Sequence, residues 1–236
     1  MFGMDGRGYM PAFNGARSAA RPLPDYPVVL FDFDGTVADT QPAIFRCAQD
    51  VLRKHGYECD PERMRLMIGP PLEEGFSLVS AMGSEEALQC AEEYRELFHA
   101  TVTPDEFPLM PGMRELLDGL VASGRRVAVA TSRMEDSARA MVEALGLDQF
   151  EAVVGRVHGV RYSKAESIEG ALMALRASAH DTVMVGDRMH DVIGAADWEI
   201  PCIGFYSGAA HPGELEDAGA VATCRSVPEL ASLLGL

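Results

Sequence analysis

The segment "VVLFDFDGTVADT", residues 28 to 40, ends an apolar run with Asp32 and Asp34, two residues apart, and Gly35 follows. While the chain stays extended, that spacing points both carboxylates the same way. Like charges so close repel each other and raise one pKa unless a cation lies beside them. Gly35 permits a sharp departure from strand geometry. Taken alone, the pair also fits an ordinary strand-ending turn rich in Asp and Gly.

A second acidic pair gives the first more weight. In "TVMVGDRMHD", Asp187 follows an apolar run through Gly186, and Asp191 lies four residues on, one helical turn away and on the same face. Helix N-capping accounts for Asp187 but leaves Asp191 unexplained. Four carboxylates at one edge, Asp32, Asp34, Asp187 and Asp191, need a hard cation, and oxygen ligands in this number suit Mg²⁺.

Three further residues extend the pattern. Thr131 ends the run "VAVAT", where its hydroxyl and the amides of a helix start form an anion site. Ser132 has a structural explanation, because "SRME" reads as a capping box in which Glu135 reaches back to the Ser132 amide. Lys164 lies in a second capping box, "SKAE", ahead of Ile168, Ala171, Leu172 and Leu175 at helical spacing. A cation in the first turn of a helix opposes the macrodipole. An exposed lysine tolerates that cost, but a partner to several carboxylates and a bound anion is the stronger reading. A nucleophile, a second carboxylate, a metal, a cation and hydroxyl and amide donors are the parts phosphoryl transfer needs.

The elements that must position these residues can be read from the apolar pattern. Candidate strands are "VVLF" at 28, "RVAVAT" at 126, "AVVG" at 152, "TVMVG" at 182, "CIGF" at 202 and "AVAT" at 220, alternating with helical segments such as "RELLDGLVASG" and "DSARAMVEALGL". Near-continuous apolar strands alternating with helices imply an α/β fold, a mostly parallel sheet covered on both faces. In such sheets ligands bind beyond the carboxyl ends of the strands, where the residues above fall. Residues 41–108 break the rhythm with helical patterns at 42–56, 61–67, 71–82 and 85–100 and no convincing strand. The expected organisation is a core of residues 26–40 and 109–236 and an all-helical insertion at 41–108. The first residues, rich in Gly, Pro, Ala and Arg, suggest a flexible tail over 1–25.

Composition narrows the function classes. Of 236 residues, 47% are hydrophobic, and no apolar run is long enough to suggest a membrane span. A formal net charge of −16 opposes binding to nucleic acid or anionic membrane. The five cysteines are scattered without a CxxC pair, which points to a reducing, cytoplasmic setting. No apolar segment resembling a secretory signal precedes the first strand.

"DFDGTVADT", "VAVATS", Lys164 and "GDRMHD" resemble, in order and spacing, the four motifs of the haloacid dehalogenase superfamily of phosphohydrolases. The resemblance covers residues 28–236, and the insertion looks like the small helical cap of the subfamily that contains phosphoglycolate phosphatases. It implies a Rossmann-like core, Mg²⁺, and hydrolysis through an aspartyl-phosphate. It casts Asp32 as nucleophile and metal ligand. Asp34 would be the acid and base, with its backbone carbonyl on the metal. Thr131 and Lys164 would hold the phosphoryl oxygens, with Gly35 and Ser132 among the substrate-binding positions and Lys164 restraining Asp32. Asp187 and Asp191 would complete the metal site. The substrate implied is a small phosphate ester, 2-phosphoglycolate first, with nucleoside monophosphates, pyrophosphate and sugar phosphates as alternatives, on a monomer or homodimer.

The resemblance also sets out the competing readings. Haloacid dehalogenases proper lack the second aspartate, so Asp34 favours phosphate esters. The mutase relative has a His soon after the first motif, and "QPAIFRCA" has none. A non-catalytic binding module predicts a broken catalytic position, and none is visible. The segment Ile68–Phe76, "IGPPLEEGF", resembles a substrate-proximal turn of the cap but equally fits a helix connection. Arg46, Arg63 and Arg65 are cations available to a substrate carboxylate.

Overall fold

The computed structural model describes Leu23 and residues 25–236, so the expected tail lies almost wholly outside the described residues. Strands β1 (Val28–Phe31), β2 (Arg126–Met134), β3 (Phe150–Arg156), β4 (Thr182–Gly186), β5 (Cys202–Phe205) and β6 (Ala222–Cys224) form one sheet in the order β3-β2-β1-β4-β5-β6. All neighbours pair parallel. This doubly wound order places its topological switch point beside β1, where ligand crevices open.

Alternation along β1 shows why both faces are covered. Val29 and Phe31 join one hydrophobic cluster, and Val28 and Leu30 join the other. The second cluster packs α7 (Lys164–Leu175) through Ile168, Ala171 and Leu172, and α8 (Met189–Ala196) through Val192 and Ala195. The first cluster takes in α5 (Met113–Ala122), α6 (Glu135–Ala144) and α10 (Val227–Leu233), the last following the short α9 (Glu214–Asp217). It continues without a break into the insertion.

That insertion is helical, as the sequence predicts: α1 (Gln41–Lys54), α2 (Pro61–Met64), a 3₁₀ turn at Arg65–Met67, α3 (Leu72–Ser80) and α4 (Ser84–Thr101). Phe76, Tyr94 and Phe98 stack edge-on or tilted inside it, with centroids 6.2 and 5.7 Å apart. Ala38 bridges to Leu109 where the chain leaves and re-enters the core.

One local expectation fails. "SRME" is not a capping box at Ser132, because β2 runs on to Met134 and α6 begins at Glu135. Met134 pairs with Arg156, and two more residues of β2 than of β3 lie between that pair and Ala130–Val154. Strand pairing outcompetes the cap, and the bulge it leaves falls at Thr131–Arg133. Glu135 instead accepts from the guanidinium of Arg139 at 3.1 Å and the Gly155 amide at 3.3 Å, and it also pairs with Arg161. The "SKAE" box does form, with Ser163 Oγ accepting from the Glu166 amide at 3.2 Å and Glu166 accepting from the Ser163 amide at 2.9 Å.

Candidate active site

β1 and β4 deliver the two acidic pairs side by side. The Asp32 amide donates to the Val185 carbonyl at 2.9 Å, extending the ladder by one residue before the chain turns. Gly35 then takes φ +76°, and a Cβ there would stand 2.2 Å from Asp187 Oδ2, so the turn needs glycine for both conformation and space. A Cβ on Gly186 would collide with the Asp191 carboxyl in the same way.

The N-terminus of α7 drives Lys164 into this cluster. Its Nζ lies 2.7 Å from Asp32 Oδ1 and 2.7 Å from Asp191 Oδ1, and it donates to the Ala130 carbonyl at 3.0 Å. Burial works against the ammonium, but Asp191 and Asp32 outweigh it and hold its pKa above the usual lysine value. Burial pushes Asp32 up to about 6 against the pull of Lys164. Asp187 rises well above the ordinary carboxylate value for the same reason, with Asp191 and Asp32 adding repulsion.

The four expected carboxylates divide. Asp32, Asp187 and Asp191 each present an oxygen within 4.8 Å of the others, whereas the Asp34 side chain turns away to Arg133. Neither is Asp187 the N-cap of α8; that position is Arg188, whose amide donates to Asp191 Oδ2 at 3.0 Å. Three carboxylates against one ammonium leave two negative charges, and Asp187 Oδ1 is buried without a hydrogen-bond partner. An all-oxygen, doubly negative, buried donor set fits a hard divalent cation.

Arg133 is the main residue sequence reasoning missed. Its Nε donates to Asp34 Oδ2 at 2.9 Å and its Nη2 to Asp34 Oδ1 at 2.8 Å, a bidentate pair. The guanidinium also donates to Ser137 Oγ at 3.2 Å and lies 4.7 Å from the centroid of the Phe98 ring on α4. Thr131 Oγ1 accepts from the Arg133 amide at 3.2 Å. The rule that sites gather at strand ends places Arg133 with Thr131 at the sheet edge, but nothing in the sequence pairs it with Asp34.

Asp32, Asp34, Thr131 and Ser132 open onto a cavity of about 470 Å³ between sheet edge and insertion. Its walls are mostly apolar, through Ile44, Phe98, Val102, Phe107 and Met141, with Arg95, Arg133 and Arg156 among them. Ile68, Gly69, Pro70 and Leu72 also line it, so "IGPPLEEGF" is both the connection into α3 and part of the wall. Arg188 ties that segment to the loop carrying Asp187 by donating to the Ile68 and Arg65 carbonyls while pairing with Glu214 at 2.7 Å.

The three arginines singled out from sequence are engaged elsewhere. Arg46 pairs with Glu106 at 2.8 Å, Arg63 donates to the Leu78 carbonyl at 2.8 Å, and Arg65 lies 3.7 Å from Glu62. Helix periodicity cannot tell which polar side chain turns outward and which closes a cavity formed with another element.

Residues 29–205 match the family model described as haloacid dehalogenase-like hydrolase. The chain is 34% identical to a 5'-nucleotidase of Pseudomonas aeruginosa, over 89% of this chain and 96% of that protein. It is 33% identical to the tyrosine-protein kinase PtkA of Mycobacterium tuberculosis, over 93% of this chain and 76% of that one. The crystal structure of a predicted phosphatase from Clostridium acetobutylicum superposes with a TM-score of 0.82 at 32% identity, covering 89% and 99% of the two chains. Among the described residues, no helix is long and apolar enough to cross a membrane. The family match over most of the chain and the 34% identity to a relative covered almost end to end show that the chain belongs to the haloacid dehalogenase-like hydrolases.

Proposed function

We propose that this protein hydrolyses the phosphate monoester of a small metabolite, with Mg²⁺, through an aspartyl-phosphate on Asp32. The observation that carries the reading is Lys164 Nζ, 2.7 Å from both Asp32 and Asp191 inside a carboxylate cluster whose Asp32 opens onto a cavity of about 470 Å³.

Asp32, Asp187 and Asp191, with the Asp34 carbonyl, hold the metal in this reading. Mg²⁺, when bound, neutralises charge on the phosphoryl oxygens. Lys164 orients Asp32 and draws it toward its ionised form, and Thr131, Ser132 and the Gly35 turn receive the phosphoryl group. An Asp32 oxygen attacks phosphorus and the P–O bond to the leaving group breaks; Asp34, released from Arg133 and protonated when substrate binds, gives that oxygen its proton. Asp34 then takes a proton from water, whose oxygen attacks the acyl phosphate, so Asp32 is restored and phosphate leaves. Residues 41–108 serve as the cap that excludes bulk water and selects the leaving group.

The cavity bears on the substrate. Its volume lies in the range of about 300–1,000 Å³ usual for drug-sized ligands, and its walls are mostly apolar. A two-carbon leaving group exploits little of that surface. We therefore place 5'-nucleotides ahead of 2-phosphoglycolate, the substrate suggested by sequence resemblance alone. Similarity to the Pseudomonas aeruginosa 5'-nucleotidase supports the same order.

Phosphate release from a panel of p-nitrophenyl phosphate, nucleoside monophosphates, 2-phosphoglycolate and hexose phosphates, with Mg²⁺ and with EDTA, tests this. Release that requires Mg²⁺ and peaks on nucleotides is expected. Release peaking on 2-phosphoglycolate overturns the substrate order, and no release on any ester overturns the phosphatase reading.

A further inference from the structure

We propose that Arg95 and Arg156 form a second anion subsite, which takes a carboxylate or phosphate on the leaving group of the substrate, so that among nucleotides it favours one carrying a further phosphate, such as a 3',5'-bisphosphate, over a plain nucleoside monophosphate. The proposal deepens the phosphomonoesterase reading and rests on it for the placement of the reacting phosphoryl group at Asp32.

Arg95 comes from α4 of the insertion and Arg156 from the carboxyl end of β3, and both line the cavity that Asp32 and Thr131 enter. Glu73 on α3 stands between them, accepting from Arg95 Nη2 at 3.2 Å and from Arg156 Nη2 at 2.8 Å. Two guanidiniums therefore share one carboxylate. Each also keeps a buried Nε–H with no acceptor. An unpaired buried donor on a charged group is costly, and native structures seldom retain one without a reason.

The surrounding charges sharpen the point. Asp34 is matched by Arg133, and Asp32 by Lys164. Asp136 also lines the cavity, but it is exposed to solvent. The uncompensated positive charge on the cavity wall lies with Arg95 and Arg156. β3 is the second neighbour of β1, so Arg156 starts about 10 Å to the side of the nucleophile. An anion there sits on the leaving group and is distinct from the phosphoryl group in transfer. A guanidinium fork matches carboxylate and phosphate alike.

The alternative is a plain ion bridge, with Glu73 pinning the insertion to the core through Arg156. Charge makes the two roles separable. In a bridge, Glu73 and Arg156 are partners and losing either has the same effect. In a subsite, Glu73 competes with the ligand and its loss has the opposite effect.

The test is calorimetric, on protein carrying Asp32→Asn with Mg²⁺ present, so that binding is measured without turnover. Two matched pairs separate the anion types: glycerol 1-phosphate against 3-phosphoglycerate for carboxylate, and fructose 6-phosphate against fructose 1,6-bisphosphate for phosphate. The member with the extra anion is expected to bind about tenfold more tightly in at least one pair. Adding Arg156→Met should bring that ratio close to one, and adding Glu73→Gln should raise it. Thermal melts establish that each variant is folded. Ratios near one in both pairs on the Asp32→Asn protein overturn the subsite, as does an equal shift of both members of a pair by Arg156→Met and Glu73→Gln. Mg²⁺-dependent turnover of p-nitrophenyl phosphate by the unaltered enzyme is scored separately, so failure of the phosphatase reading shows there.

Discussion

At the carboxyl ends of β1 and β4, three buried carboxylates crowd one ammonium; along the cavity wall, three guanidiniums, Arg95, Arg133 and Arg156, meet two carboxylates, Asp34 and Glu73. One region carries excess negative charge and the other excess positive charge. The first is rigid in origin, because each of its groups is fixed by a strand end or the first turn of a helix. The second is assembled in part across the core and the insertion, so the arrangement of Arg95, Glu73 and Arg156 exists only while those two are closed on each other. A fold can thus keep its chemistry constant in one region while its specificity depends on how two regions meet.

Removing the nucleophile is the most severe way to probe the negative region. Asp32→Asn should lower turnover on every ester by about 10³-fold or more, the scale seen when a covalent nucleophile is lost. Steady-state phosphate release measures it, and full activity in that variant eliminates the covalent route.

A pair of charge deletions then compares the two regions directly. Lys164→Met leaves Asp32 and Asp191 buried without their cation and should cost about 3–5 kcal/mol of stability in EDTA. Arg133→Met frees Asp34, whose side chain is 16% exposed and can recover water, so the expected loss is about 1–3 kcal/mol. Urea unfolding at neutral pH reads both. Equal losses would erase the distinction between a sealed cluster and a wall open to the cavity.

Gly35→Ala probes the joint between the acidic pairs. The added methyl would meet Asp187 Oδ2 at 2.2 Å, from a backbone at φ +76° that alanine adopts at a cost of about 1–2 kcal/mol. The expected signature is a loss of Mg²⁺ affinity greater than the loss of stability, measured as the Mg²⁺ concentration for half-maximal turnover beside a melt in EDTA.

The same contrast explains what the sequence could reveal. All six strands, the helical insertion and the positions of Asp32, Asp187, Asp191 and Lys164 follow from local patterns: apolar runs, the "SKAE" cap and the carboxyl-edge rule. The failures are non-local. Ser132 has the local sequence of a cap, but Met134 finds Arg156 across the sheet, and pairing wins. The Asp34 carboxylate has the spacing to face the other three, but Arg133 meets it instead, which leaves only its backbone carbonyl for the role the family resemblance implies. Arg156 ends β3 as visibly as Thr131 lies on β2, so the same edge rule would have found it. Arg95 had no such marker. Its neighbour Tyr94 belongs to the buried face of α4, and only the packing of α4 over the sheet edge decides what the next side chain lines.

The smallest expected effect concerns the balance between protons and metal. Burial raises Asp32 to about 6 and Asp187 well above the ordinary range, so below about pH 6 the metal-free fold holds protons on both that the unfolded chain has released. Between the ordinary aspartate value and those raised values the folded state binds more protons, so these two groups make stability fall as pH rises through that window. A divalent cation needs the same oxygens bare, so its binding competes with protons below about pH 6 and gains as pH rises. The Mg²⁺-induced rise in melting temperature should therefore be larger at pH 7.5 than at pH 5. At a concentration one hundred times its dissociation constant the ion adds about 2.7 kcal/mol, on the order of 5 °C for a chain of this size. Differential scanning fluorimetry at the two pH values, with Mg²⁺ and with EDTA, measures the difference. A shift of equal size at both would mean that the carboxylates are already ionised without the metal, and that Lys164 balances the cluster more fully than burial opposes it.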